Sequence, residues 1–384
     1  NFSWSSNFNL SINKNKLMKA KITLFFLFML ISIEVKSQEL LLDIRPGYEG
    51  SGSSNFCSNN GILFFTADDV EDGNVAGECE LWKTDGTTTG TVMVKDINPN
   101  AGAIPGNHQV VAMNGNVYFT ADDGITGNEL WKSDGTEKGS LLVKDIQVGI
   151  HGYGVWNLCV MNNTLYFRAN DGVHGDELWK SDGTEAGTVM VKDILPGEYG
   201  SMIDTQGKFV VIDNYLYFNS RDATNITSQL WKTDGTEEGT TKVSDIRIER
   251  NKTLKEFKGK IYFSGCADCD LTGEELCVSD GTQEGTFVLK DINTNYNGKS
   301  RSVPTILTEY DGNLFFLAYE DINGVELWKT DGTKAGTQLV KDINPGNGYS
   351  YIESLVIFNN RMYFSAYDSN GTYLWSSDGT TEGT

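Results

Sequence analysis

The sequence predicts an all-β chain: a seven-bladed β-propeller with four antiparallel strands per blade, its ring closed by the N-terminal strand. Three observations point there. One aromatic-centred motif recurs seven times, each period holds four strand-like pieces, and no stretch shows an amphipathic helical period of useful length.

The recurring block reads Glu-Leu-Trp-Lys-Thr/Ser-Asp-Gly-Thr. Its aromatic stands at Trp82, Trp131, Trp179, Trp231, Trp328 and Trp375, and Cys277 takes that place in the fifth copy. Successive steps are 49, 48, 52, 46, 51 and 47 residues. Copy two shows the content of one period. Gln109 to Met113 is an apolar strand ended by Asn114-Gly115, a hairpin signal. Val117 to Ala121 is rich in strand formers, and an acidic loop from Asp122 to Asn128 leads to the third strand, Glu129 to Lys132. Asp134-Gly135-Thr136 opens a second turn before the fourth strand, Leu141 to Ile146. Four strands in such a period match a propeller blade, whereas a solenoid needs shorter periods or helices.

The ends set the expected blade count. The chain stops at Gly383-Thr384, where the fourth strand of copy seven is due. Leu40 to Ile44, followed by Pro46-Gly47, reads as a fourth strand without a blade, like Val340 to Gly346. Pairing of Leu40–Ile44 with Tyr373–Trp375 is therefore expected, closing the ring and covering an edge.

Seven such blocks, over nearly everything after residue 38, make the chain resemble the ELWxxDGT repeat family of exported, mainly bacterial proteins. The resemblance implies a repeat architecture and export. It brings no ligand and no catalytic residue.

Residue 1 is Asn, so residues 1–17 read as upstream or disordered sequence, and the interpretable start is Met18. Lys19 and Lys21, the apolar run Ile22 to Ile33, and Val35 and Ser37 before Gln38 form a cleavable signal peptide over 18–37. The run is too short for a bilayer, which needs about 20 residues. Residues 38–384 are expected to be one propeller domain, secreted or held at the cell surface, monomeric and without membrane insertion.

Composition agrees. With 42 Gly, 6 Pro and 11% aromatics, the chain suits many short strands joined by tight turns rather than disorder. The formal charge is −21, and near −25 without the leader. Such a surface offers no phosphate-neutralising patch, so nucleic acid is excluded as a partner. The six cysteines of an exported chain favour disulfides over zinc. A bridge is expected among Cys266, Cys269 and Cys277, with Cys57 and Cys79 as a second candidate pair.

Two sets of aspartates recur once per copy. The turn set is Asp85, Asp134, Asp182, Asp234, Asp280, Asp331 and Asp378; the fourth-strand set is Asp43, Asp96, Asp145, Asp193, Asp245, Asp291 and Asp342. Catalysis needs a carboxylate once or twice, so both sets read as structural, the first through turn hydrogen bonds. The tryptophans read as packing between blades. Function is expected in the loops between strands two and three and in those from strand four to the next strand one; the carboxylates of the first set include Asp68, Asp69, Asp72, Asp122, Asp123, Asp171 and Asp176. These suit calcium, which takes hard oxygen ligands, although no loop has EF-hand spacing. No other cofactor is implied. His108, His151 and His174 accompany no nucleophile motif. Binding of a glycan, protein or other surface is thus favoured over catalysis. The rival is a propeller-type glycan hydrolase using a loop Asp/Glu pair. The copies that break the pattern, at Gln229, Cys277 and Tyr373, are the places to look for something other than framework.

Overall fold

The computed structural model describes residues 40–384, apart from 46–49, 69–77, 106–108, 150–153, 203–207, 225–226, 249–253, 270–272 and 295–300. The leader expected at 18–37 lies outside the described residues. Asn1–Leu42 and Asp43–Thr384 are separate compact units, and every strand lies in the second. Among the described residues there is no helix.

The strands follow the motif. Repeat one holds β1 (Ser54–Asn59), β2 (Ile62–Ala67), β3 (Glu78–Thr84) and β4 (Val92–Lys95), with a two-residue β5 (Ile104–Pro105) paired to β3. Repeat two holds β6 (Val111–Met113), β7 (Asn116–Asp122), β8 (Asn128–Ser133) and β9 (Leu141–Lys144). Repeat three holds β10 (Trp156–Met161), β11 (Thr164–Asn170), β12 (Asp176–Ser181) and β13 (Val189–Lys192). Repeat four holds β14 (Val210–Ile212), β15 (Tyr215–Ser220), β16 (Ser228–Thr233) and the long β17 (Thr241–Ile248). Repeat five holds β18 (Lys255–Phe257), β19 (Lys260–Cys266), β20 (Glu275–Ser279) and β21 (Phe287–Lys290). Repeat six holds β22 (Thr305–Tyr310), β23 (Asn313–Glu320), β24 (Gly324–Thr330) and β25 (Gln338–Lys341). Repeat seven stops at three, β26 (Val356–Phe358), β27 (Arg361–Asp368) and β28 (Gly371–Ser377).

Within each repeat the strands pair in chain order, all antiparallel. The first hairpin uses positive φ at both turn residues, +51° at Asn114 and +81° at Gly115, as its two-residue loop requires. Second and third strands align the apolar blocks, with Phe119 opposite Trp131 and Phe167 opposite Trp179.

Among the described residues the core consists of six clusters, each shared by two successive repeats. Trp131 packs with Phe64, Leu81 and Val94 of repeat one; Trp179 packs with Tyr118 and Leu130 of repeat two. The tryptophans therefore join repeats, as the spacing suggested. Burying such side chains contributes roughly 1.5–3 kcal/mol each. No single sheet can cover its own faces, so each repeat depends on its neighbours.

One junction differs. β17 runs on to pair with β19 of repeat five, Arg247 opposite Cys266 and Ile248 opposite Gly265, which fuses two repeats into one sheet.

The expected N-terminal strand does not form. Leu40 to Ile44 lie in no strand, and the last sheet ends at β28. Arg45, which directly follows this segment, pairs with Asp68 of repeat one rather than with any group of repeat seven. Leu42 also stands where the fourth strands of repeats one, two, three, five and six carry Lys95, Lys144, Lys192, Lys290 and Lys341.

Candidate functional site

The motif residues are best understood one at a time. In Asp134-Gly135-Thr136, the Asp134 Oδ1 accepts from the Thr136 backbone N–H at 2.8 Å and from its hydroxyl at 2.7 Å. The Thr136 hydroxyl in turn accepts the Gly139 N–H at 3.0 Å. The same bonds recur around Asp85, Asp182, Asp234, Asp280, Asp331 and Asp378. They hold each carboxyl below its ordinary pKa. Gly135 has φ +88°, and a methyl at Gly139 would lie 2.0 Å from the Asp134 carboxylate, so both glycines are required. The turn aspartates are framework.

These turns are also docking points. Lys132 Nζ donates to the Gly183 carbonyl at 2.8 Å, and Lys144 Nζ to the Thr188 carbonyl at 2.9 Å. Two lysines of repeat two thus grip the turn of repeat three. The third-strand grip recurs from Lys83, Lys180, Lys232 and Lys329. The fourth-strand grip recurs from Lys95, Lys192, Lys290 and Lys341. An aromatic ring closes the contact: a methyl on Gly183 would strike the Tyr118 hydroxyl at 2.2 Å, and Gly235 faces Tyr166 in the same way. Lys95, Lys290 and Lys341 also lie over the rings of Trp131, Trp328 and Trp375.

The motif glutamate carries the least expected role. Glu80, Glu129, Glu177, Glu275 and Glu326 are all buried. Each accepts, 17 residues on, the N–H of Ile97, Ile146, Ile194, Ile292 or Ile343, where the fourth strand ends. Glu177 also takes the Leu195 and Ser201 N–H groups and the Ser201 hydroxyl. Burial pushes all five carboxyls up to about 7, against the hydrogen bonds that favour the charged form. Sequence reasoning singled out the aspartates and passed over these glutamates, although they recur with similar regularity. The fourth-strand aspartates sit close by; Asp145 and Asp342 raise the pKa of Glu129 and Glu326 further.

The described carboxylates expected to bind calcium each have a separate partner, in the same loop or on a neighbouring segment. Asp68 pairs with Arg45 at 2.5 Å. Asp122 Oδ1 accepts the Gly124 N–H, and Asp123 Oδ1 accepts those of Ile125 and Thr126. Asp171 holds two backbone N–H groups and, at 2.7 Å, His174 Nδ1; Asp176 pairs with Arg168 at 2.9 Å. Asp69 and Asp72 lie outside the described residues. Among the described residues no three His, Cys, Asp or Glu side chains gather as a metal site.

Of the cysteines, Cys266 and Cys269 form a disulfide, while Cys57, Cys159 and Cys277 are free thiols. Cys57 lies on β1 and Cys79 on β3, with β2 between them. Two strand spacings of about 4.8 Å exceed the reach of a disulfide, so that expected pair is corrected. Cys277 sits opposite Phe263, three residues along the strand from Cys266, and burial raises its thiol pKa strongly.

The breaks in the pattern fall in repeats three to five, with Tyr373 in repeat seven in the place of the motif glutamate. At one register position of the second strand, opposite the motif leucine, stand Thr66, Thr120, Arg168, Asn219, Ser264, Leu317 and Ser365. Arg168 is the only charged member. Gln229 replaces the buried glutamate, and neither end of its amide has a hydrogen-bond partner.

No family model and no curated protein matches this chain. Among solved structures it is similar to the computationally designed Ika8 protein, at 16% identity and TM-score 0.45 over 88% of this chain and 86% of that one. It is also similar to oligopeptidase B from Leishmania major, at 10% identity and TM-score 0.47 over 85% of this chain and 47% of that one. A prolyl endopeptidase matches at 11% identity and TM-score 0.44 over 86% of this chain, which spans about half of either peptidase's length.

Proposed function

We propose that this chain is an exported binding scaffold of the ELWxxDGT repeat type, its sheets set around a propeller axis as blades. One observation carries the reading. Three recurring charged residues are used up by the framework: aspartate in the turn, glutamate under the fourth strand, lysine on the next repeat. What varies is the loops and the second-strand row, and variable positions on a rigid frame are where recognition is built. A glycan hydrolase needs two carboxylates free to face a substrate. Asp176 is held by Arg168, and Glu274 accepts the Ser264 hydroxyl at 2.6 Å.

The test is a glycan array and a cell-surface extract probed with residues 38–384. Retention of a defined ligand, lost on Asp122→Asn or Asp171→Asn, supports the scaffold. Turnover of a glycan without retention would replace it with the hydrolase. Calcium would have to use the second oxygens of Asp122 and Asp123, or displace the partners of Asp68, Asp171 and Asp176; melting in chelator and in calcium checks that expectation directly.

A further inference from the structure

We propose that Arg168 and Asn157 form a binding point for the carboxylate of a small ligand on the first and second strands of repeat three. This names a ligand class for the scaffold and rests on that reading for its use, though not for its chemistry. Arg168 is only 7% exposed. Its Nη2 pairs with Asp176, while Nε and Nη1 are buried with no hydrogen-bond partner. A guanidinium cannot give up its proton, so burial cannot neutralise it as it would a carboxyl. Its unused N–H groups must therefore find acceptors.

A second donor stands beside it. Arg168 is the register partner of Trp156, and the next residue, Asn157, sits in a bulge with φ +60°. Repeat one has the same bulge: Asn55 has φ +54°, and its Nδ2 donates to Thr66 Oγ1 at 3.0 Å. Thr66 holds the position that Arg168 fills in repeat three. There the acceptor hydroxyl has become a donor, and Asn157 Nδ2 is buried without a partner.

The unpartnered atoms of repeat three differ in kind from those shared with the other repeats. Trp179 Nε1 and Asp193 Oδ1 recur in other repeats, one donor and one acceptor. A water satisfies such a mixture. The atoms peculiar to repeat three, Asn157 Nδ2 and Arg168 Nε and Nη1, are all donors. A group with acceptors only matches them, and a carboxylate has four lone-pair sites to offer. The formal charge of −21 and the nearby Asp176 oppose it, so binding is weak and strengthens as inert salt screens the repulsion.

The experiment follows the melting temperature of residues 38–384 in sodium glucuronate and in N-acetylglutamate at constant ionic strength, with sodium sulfate as a third arm. A rise in the wild type that Arg168→Thr abolishes supports the site; threonine already fills this position in repeats one and two. Glucuronate alone indicates a sugar carboxylate, N-acetylglutamate alone a peptide one. A response to sulfate only, an equal response in the variant, or none to either carboxylate overturns the proposal. Should Arg168→Thr fail to fold, nitrogen-15 NMR of the wild type decides it: the buried arginine Nε–H signal moves on titration, and a static one refutes the site. A scaffold that retains a neutral glycan while Arg168 stays silent would sink this proposal and leave the scaffold standing.

Discussion

Repeats three and four end their fourth strands by opposite means. In repeat three the strand stops at Lys192, the chain turns, and the N–H groups of Ile194, Leu195 and Ser201 converge on the buried Glu177. In repeat four Gln229 replaces the glutamate, and β17 continues to Ile248, with Arg247 opposite Gln229 and then opposite Cys266. Backbone donors must be satisfied wherever they are buried. One repeat meets that demand with a buried carboxylate, the other with the Ser244 hydroxyl, which accepts the Ile246 N–H at 3.4 Å, and with more strand beyond it. The lysine changes too: Ser244 stands where Lys192 grips repeat four, and direct β17–β19 pairing takes over the grip on repeat five. A buried charge is therefore no fixed requirement of this repeat.

Alanine at the two positions tests this most sharply. Glu177→Ala strands four donor groups and should cost about 4 kcal/mol in chemical denaturation. Gln229→Ala removes an amide that bonds nothing and should cost no more than about 2 kcal/mol, mostly from the space left behind. Equal losses would break the comparison.

Gly265 sharpens the strand side of it. Repeats one, two, three, six and seven have Ala67, Ala121, Ala169, Ala318 and Ala366 at this position. A methyl on Gly265 would meet the Phe263 ring at 2.9 Å and the Arg247 carbonyl at 3.0 Å. Gly265→Ala should cost about 2 kcal/mol through overpacking, and a neutral result would mean that β17 is held some other way.

The carboxylate side is open to titration. Five glutamates have folded pKa values of about 7, raised from 4.5. Their stabilising contribution is full below pH 4.5 and lost as pH rises through 7. The turn aspartates, with lowered pKa values, act in the other direction and only in acid. Melting temperature should fall between pH 5 and pH 8. Glu177→Gln should remove about a fifth of that slope, and Gln229 contributes none of it. An unchanged slope would show that Glu177 ionises normally. The smallest effect expected is for Lys132→Met, which deletes one grip on the next turn and should cost about 1 kcal/mol by the same measurement.

Much of this was legible in advance. Asp-Gly-Thr announced its turn, Asn114-Gly115 its hairpin, and the Trp spacing its packing, because each depends on a few neighbouring residues. The glutamate was not, since a Glu that opens a strand reads as a solvent-facing residue. Its partner is an N–H 17 residues away, and a donor common to every residue leaves no mark in sequence. A signal was present nonetheless: the carboxyl is missing from repeat four, where the fourth strand lengthens. Cys57 and Cys79 looked paired because both flank one hairpin, yet an intervening strand keeps them apart. Arg168 stood in plain view as a charge in an otherwise apolar strand, but only its register against Asn157 gives it meaning.

The lysine grip runs one way, from each repeat to the one after it, and that has a consequence for timing. Synthesis proceeds from the N-terminus at about 5–20 residues per second. A repeat's third-strand lysine is made well before the turn it will hold, 51 residues later for Lys132 and Gly183. For about 3–10 s the trailing face of a new repeat has no partner, and its aromatic ring and two lysines are open to anything nearby. Repeat four shortens the wait, because Ile248 meets Gly265 only 17 residues on. The fused junction is thus a place where assembly catches up with synthesis, midway along the row.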